Sequence, residues 1–246
     1  MVADSGQTRP VDWDAIGLQS GDRAAVLAPH PDDFDAVGVT MDRIRRAGGA
    51  ISVAVLSSGA SGVEDSFVTP PTPAEKARVR EAEQRQSCRF FGLDDEDLVF
   101  LRLPEDEGGH LIEDANAEDA IERWLVAQSP RFVFLPHGDD TNLGHRRTWS
   151  LFSRIARRRT VCEAAFLNQD PKTIRMRVDV FTPFDEAAAA WKAELLRFHQ
   201  SQHQRNLRTR GYGFDRRILE VNRRTARDLG LAEPYAEAFE RRVIGG

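Results

Sequence analysis

The chain has 246 residues, 34 basic against 39 acidic side chains and a formal net charge of −5. With 41% apolar and 30% charged residues, it has the make-up of a soluble globular protein, which excludes a collagen-like, coiled-coil or wholly disordered chain. The acidic balance argues against a general nucleic-acid binder, and no apolar run approaches the roughly 20 residues of a membrane-spanning helix.

Residues 1–12 are polar and read as a loose segment preceding one domain that takes in the rest of 1–246. Arg23–Pro29 is a short apolar run stopped by Pro29-His30-Pro31, the pattern of a buried strand ending in a proline-fixed turn. Asp35–Ala47 has helical spacing and ends at Gly48-Gly49. Ile51–Ser57 is a second buried strand, followed by the small-residue loop Ser57–Gly62. Thr72-Pro-Ala-Glu75 carries a helix start, with a capping hydroxyl, proline at the first position and glutamate three residues on. That helix runs to Phe91 and stops at Gly92.

Leu98–Leu103 reads as a third strand, Asp114–Ala127 as an amphipathic helix and Arg131–Pro136 as a fourth strand. Arg147–Arg158 is helical, Val161–Leu167 and Ile174–Phe181 are strand candidates, and one long helix covers Pro183–Arg205. Strands alternating with helices predict an α/β fold with a mostly parallel sheet covered on both faces. In such sheets ligands bind at the carboxyl ends of the strands. Trp124, Trp149 and Trp191 are assigned to the core.

Two of these strand ends share a chemistry. The first is Pro29-His30-Pro-Asp32-Asp33, where His30 and Asp33 offer a metal ion an imidazole and a carboxylate, with Asp32 beside them as a base. The plain alternative is a polar turn capping the next helix. The second is His137-Gly-Asp139-Asp140-Thr-Asn142-Leu-Gly144-His145. A catalytic zinc takes three protein ligands and leaves a position for water; from this loop either His137 or His145 could be the third. Cys88 and Cys162 lie in no metal-binding or redox spacing, so a reduced pair is expected. Together with an N-terminus lacking a signal pattern, this points to a cytoplasmic protein.

These residues resemble the LmbE-like, or GlcNAc-phosphatidylinositol de-N-acetylase-like, family of zinc-dependent deacetylases. Pro29–Asp33 matches the family's P-H-P-D-D-E motif, and Asp140–His145 aligns with its D-x-H-x-D-H motif. Arg80 and Glu83, leading to Phe91-Gly92-Leu93, are similar to its R-x-x-E helix. Lys192 with His199-Gln-Ser201-Gln202, and Ala236-Glu237-Ala-Phe239, are similar to its late segments. The resemblance implies a Rossmann-like three-layer α/β/α fold and removal of an N-acyl group from a small amino-sugar-like or secondary-metabolite substrate. It implies His30, Asp33 and His145 as ligands of Zn²⁺ or another divalent ion such as Fe²⁺, and Asp32 as general base. Arg80, His137, Asp140 and His199 are candidate substrate-binding residues. No nucleic-acid or membrane partner is expected, and a homo-oligomer is left open.

Three positions depart from the pattern. Phe34 replaces a glutamate, with Asp35 next to it as a substitute. Asn142 replaces the histidine implicated in oxyanion stabilisation or proton donation, and Gly144 replaces the following aspartate. Asn142 can still donate a hydrogen bond to an oxyanion, and His137, His199 or His203 are candidates for the missing proton donor. The departures define the rival reading, a metal- or ligand-binding protein on the same fold with lost or altered catalysis. A nucleotide-dependent oxidoreductase is disfavoured because the glycine fingerprint is absent. The arginine-rich stretch over 205–224 reads as a solvated face or subunit contact, with an anion site as the sharper alternative.

Overall fold

Five consecutive buried residues, Ala24–Ala28, follow Arg23 in strand β2 (Arg23–Ala28), and their side chains divide between two cores. Ala24, Val26 and Ala28 face one apolar cluster, whereas Ala25 and Leu27 face the other. This is the period-two signature of a strand covered on both faces. The computed structural model describes residues 9–244. It adds strands β1 (Val11–Asp12), β3 (Ala50–Val55), β4 (Leu98–Phe100), β5 (Phe132–Pro136), β6 (Ala164–Asn168), β7 (Val180–Phe184) and β8 (Tyr235–Val243).

All eight strands join one sheet in the order β1-β7-β8-β6-β5-β2-β3-β4. Every pairing is parallel except those of β8, which runs antiparallel between β6 and β7. One face is covered by α1 (Gly38–Arg46), α2 (Pro73–Phe91) and α5 (Glu186–Arg197), which contribute Ile44, Phe91 and Leu195 to the first core. The other is covered by α3 (Ala115–Gln128) and α4 (Leu143–Arg158), through Ile121, Leu125, Phe152 and Ile155. Helices α6 (Gln200–Arg210) and α7 (Phe214–Leu229) complete the chain. The result is the expected three-layer α/β/α fold with a mostly parallel sheet.

Local signals placed α2 well. Thr72 accepts from the Glu75 amide at 3.2 Å, Pro73 is the first helical residue, and Gly92 closes the helix at φ 98°. Elsewhere tertiary contacts moved the boundaries. The helix expected over 183–205 is two helices, because Pro183 and Phe184 belong to β7 and the chain breaks at Phe198-His199. There the Glu83 carboxylate accepts from Ser201 N at 2.6 Å and Ser201 Oγ at 2.7 Å, giving α6 a start that no local residue announces. Helix α4 begins four residues before the expected Arg147, capped by Asn142. Strand β7 lies beyond most of the expected 174–181 run, and β8 was not anticipated.

Of the segment expected to be loose, residues 1–8 lie outside the described residues, while Val11 and Asp12 form β1 on the sheet edge. The fully buried tryptophan is Trp13, ringed by Phe132, Phe134, Phe166 and Phe239; Trp124, Trp149 and Trp191 are only partly buried against the core. Cys88 and Cys162 are free and buried, and burial pushes the Cys162 thiol up to about 12.

A buried ion pair ties the two halves of the fold. Lys192 Nζ lies 2.7 Å from Glu237 Oε1, with both residues at most 2% exposed, and also donates to Asn222 Oδ1 and the Ala36 carbonyl. Glu237 in turn accepts from the Val39 and Thr40 amides at the start of α1. Removing one partner of such a pair strands a charge. Lys192→Ala is therefore expected to lower unfolding stability by about 3–5 kcal/mol in urea titration. Replacing the exposed Arg78, paired with Glu75, should leave the midpoint unchanged.

Candidate metal centre and active site

Strand β2 lies between β5 and β3, and the chain leaves it toward β3 before returning to β5 on its other side. That reversal opens a crevice at the carboxyl ends of β2 and β5, the position where open α/β sheets bind ligands. The two His- and Asp-rich loops emerge there because β2 and β5 are paired in parallel, Ala24 opposite Phe132 and Val26 opposite Phe134. A cavity of about 330 Å³ occupies the crevice, lined by His30, Asp32, Asp33, Asn142 and His145 among others.

His30, Asp33 and His145 each offer a ligand atom, all within 4.8 Å of one another. Asp33 is the hub: Oδ2 lies 3.2 Å from His30 Nδ1 and accepts from the His30 amide at 2.8 Å, while Oδ1 lies 3.3 Å from His145 Nε2. The other His145 nitrogen, Nδ1, is 3.1 Å from Asp140 Oδ2. Asp140 is fully buried, and its second oxygen accepts from the Asn142 amide at 2.6 Å. This carboxylate–imidazole pairing orients a ligating histidine and sets its tautomer. A second cluster, Asp140, His145 and Asp170, shares the same histidine, but its Asp140 oxygens are already engaged.

Gly144 has a steric role. A Cβ on it would come within 2.8 Å of His30 Cε1 and Nε2, so the His30 ring occupies the space that a side chain at 144 would need. Asn142 is the N-cap of α4: Oδ1 accepts from the Gly144 amide at 3.0 Å, leaving Nδ2 as the group available to the cavity.

Asp32 has φ 119°, a region costly for a residue with a Cβ. Helix α2 holds it there. Gln84 Oε1 accepts from the Asp32 amide at 2.9 Å, and Arg80 Nη2 donates to Asp32 Oδ2 at 3.0 Å and to the Pro31 carbonyl. Gln84 Nε2 donates to Asp35 Oδ2 at 3.1 Å, and the same oxygen lies 2.7 Å from His199 Nε2. Asp35 and His199 are both fully buried. Burial opposes charging of His199, but Asp35 raises its pKa overall. Phe34, at the departure from the family pattern, is fully buried against Phe91.

The structure therefore gathers His30, Asp32, Asp33, Arg80, Asn142 and His145 around one cavity. Asp140 and His199 lie behind its wall as buried supports. His137 lies elsewhere: its Nε2 faces Glu240 at 3.3 Å, and it lines a separate cavity. His203 Nδ1 is 3.5 Å from Asp215, and His203 does not line the site. Sequence reading passed over His110, Asp170, Lys172 and Asn206, which do line it. His110 and Asp170 sit in loops whose local pattern carries no signal, and only the crossover places them at the crevice.

The donor set fits a divalent ion. Two imidazoles and a carboxylate at the mouth of one cavity, with a buried carboxylate behind one imidazole, are borderline-hard N and O donors of the kind that bind zinc and its neighbours. The site also calls for positive charge. Although burial opposes both shifts, the neighbouring imidazoles hold the Asp33 carboxyl far below the usual carboxylate range. Asp33 and Asp140 push His145 up to about 10.

Comparison with known proteins agrees with this architecture. The structure is similar to N,N′-diacetylchitobiose deacetylase from Pyrococcus horikoshii, with TM-score 0.75 and 16% identity over 93% of this chain and 88% of that one. It is similar to the A40926 pseudoaglycone deacetylase Dbv21, with TM-score 0.70 and 17% identity over 93% and 100%. It also resembles GalB, the 4-carboxy-2-hydroxymuconate hydratase of Pseudomonas putida KT2440, with TM-score 0.64 and 16% identity over 92% and 99%. At these identities the likeness concerns the fold. No curated protein matches the chain in sequence. Residues 25–156, more than half of the chain and the segment that carries both metal-site loops, match the PIG-L family, GlcNAc-PI de-N-acetylase, and the chain belongs to that family.

Proposed function

We propose that the protein is a metal-dependent hydrolase that removes an N-acyl group, in the simplest case N-acetyl, from a small amino-sugar-like substrate. The observation that carries this reading is the convergence of His30, Asp33 and His145 in one cavity with Asp32 beside them, in a member of a de-N-acetylase family. The solved deacetylases of the same fold act, by their names, on diacetylchitobiose and on the A40926 pseudoaglycone, which supports an N-acetylated small molecule as substrate. Zinc is the ion we assign; no helix among the described residues is long and apolar enough to cross a membrane, and the free, buried cysteines support a cytoplasmic site of action.

A divalent ion held by the three ligands would acidify a water and polarise the acyl carbonyl. The remaining work falls to the chain's own groups. Arg80 occupies Asp32 Oδ2, which leaves Oδ1 to take the proton of the attacking water as the new C–O bond forms. Asn142, in the cavity lining with Nδ2 free of its capping bond, is the donor we assign to the carbonyl oxygen as charge develops on it. The C–N bond then breaks, and the proton held on Asp32 passes to the leaving amine, giving a free amine and a carboxylic acid that loses its remaining proton to solvent. His110, the cavity imidazole outside the triad, is the alternative acid.

Asp32→Asn should lower kcat by about 10²–10⁴ while metal content, measured by elemental analysis, stays at about one ion per chain. Asp33→Ala should lose both metal and turnover. Metal retained without turnover on any acylated amine in the unmodified protein would instead favour the binding-protein reading that Asn142 and Gly144 raise. His110→Gln should cost less than about tenfold if Asp32 is both base and acid; a loss near 10² transfers the acid role to His110.

Gln84 is a positioning residue for Asp32. Gln84→Leu removes the acceptor from the Asp32 amide and is expected to lower kcat by about tenfold or more, with little change in KM or metal content. Gln84→Glu, which keeps the acceptor, should recover part of the rate, an outcome that general destabilisation would not produce.

A further inference from the structure

The site cavity has a second wall that the reaction does not use. Helices α6 and α7 and the loop after β6 bring Arg205, Arg217 and Lys172 to the lining that holds the metal triad. None of the three forms an ion pair among the described residues. Arg205 donates only to the Gly62 carbonyl, at 3.2 Å. Other arginines of this region are neutralised, Arg197 by Asp215, Arg208 by Glu64 and Arg223 by Glu220. Arg217 is half-buried, and burial lowers its pKa, outweighing the opposing pull of Asp170 and Asp32.

Two buried groups in the same cavity also have atoms without partners, Arg80 among them despite its ion pairs with Asp32 and Glu83. Asn206 is 5% exposed; its Nδ2 donates to the Gln202 carbonyl at 2.8 Å, which fixes the amide orientation and leaves Oδ1 with no donor. Arg80 is 2% exposed, and its Nε and Nη1 have no hydrogen-bond acceptor. Buried polar groups are normally satisfied, and leaving them unpaired is costly. Unpaired cations and an unpaired acceptor on one cavity wall fit a ligand carrying both an anionic group and a hydroxyl or N–H donor.

We infer that this wall is a recognition subsite for an anionic group on the substrate, a phosphate or a carboxylate, held by Arg205, Arg217 and Lys172, while Asn206 Oδ1 accepts from a donor on the same molecule. The substrate class is then an N-acylated amino sugar bearing a negative charge remote from the amide. The inference rests on the deacetylase reading for the reacting end of the substrate, but the subsite itself can be measured without turnover.

The test is calorimetric titration of the zinc-loaded, full-length protein with glucosamine, glucosamine 6-phosphate and muramic acid, none of which carries an acyl group to be cleaved. One of the two anionic probes is expected to bind at least about tenfold more tightly than glucosamine, and the tighter of them distinguishes phosphate from carboxylate. The preference should shrink in about 0.5 M salt and be lost in Arg205→Gln and Arg217→Gln, but persist in Arg208→Gln. Arg205 is exposed, so its variant keeps the test decisive if Arg217→Gln fails to fold. Equal binding of all three probes, or a preference unchanged in both variants, overturns the subsite. An intact preference without acetate release from the N-acetylated counterparts overturns the deacetylase reading and leaves the subsite standing.

Discussion

The turn at the end of β2 is the constraint on which the site depends. His30, Asp32 and Asp33 must present three side chains to one point within four residues, and the backbone achieves this only by holding Asp32 at φ 119°. An isolated turn would relax from that conformation, since a residue with a Cβ gains by leaving it. Helix α2 prevents relaxation by answering the strained residue on both sides: Gln84 takes its amide and Arg80 its carboxylate and the preceding carbonyl. The strain is located where the chemistry is, and the contacts that maintain it come from about fifty residues away in sequence.

The supports of the site form one continuous polar assembly beneath it. Gln84 bridges Asp32 to Asp35, and Asp35 joins His199 at the break between α5 and α6. Glu83, one residue from Gln84, caps α6. Lys192 connects Ala36 to Glu237, which caps α1. Nearly every one of these side chains is fully buried, so each must be paired, and a change at one member alters the geometry of its neighbours. Three charged side chains of the helices are interior fittings of the site. Arg80, Glu83 and Lys192 are all below one-tenth exposed.

The departures at Asn142 and Gly144 acquire a structural meaning in three dimensions. Gly144 leaves the space that the His30 ring occupies, and Asn142 starts the helix that carries His145. Both substitutions thus belong to the construction of the triad. A histidine at 142 would supply a proton-carrying group; asparagine supplies a helix cap and a neutral donor.

Much was legible in the sequence because the signals were local. Continuous apolar runs marked the buried strands, Thr72-Pro73 and Gly92 bounded α2, and the clustering of histidine and aspartate after two strands pointed to a ligand site before any fold was known. What required the tertiary structure was every relationship between distant segments. The break in the expected 183–205 helix is imposed by Glu83 and Asp35, and the antiparallel β8 is defined by its partners β6 and β7. The resemblance already favours His145 over His137, and the fold supplies the reason: His137 leaves toward Glu240, and the first turn of α4 brings His145 back to Asp33. An anion site was one reading of the 205–224 stretch, but composition does not reveal which arginines meet a carboxylate and which, like Arg205 and Arg217, line a cavity. Short-range periodicity and capping are written in neighbouring residues, whereas pairing of buried charges depends on which chain segments the crossover of the sheet places face to face.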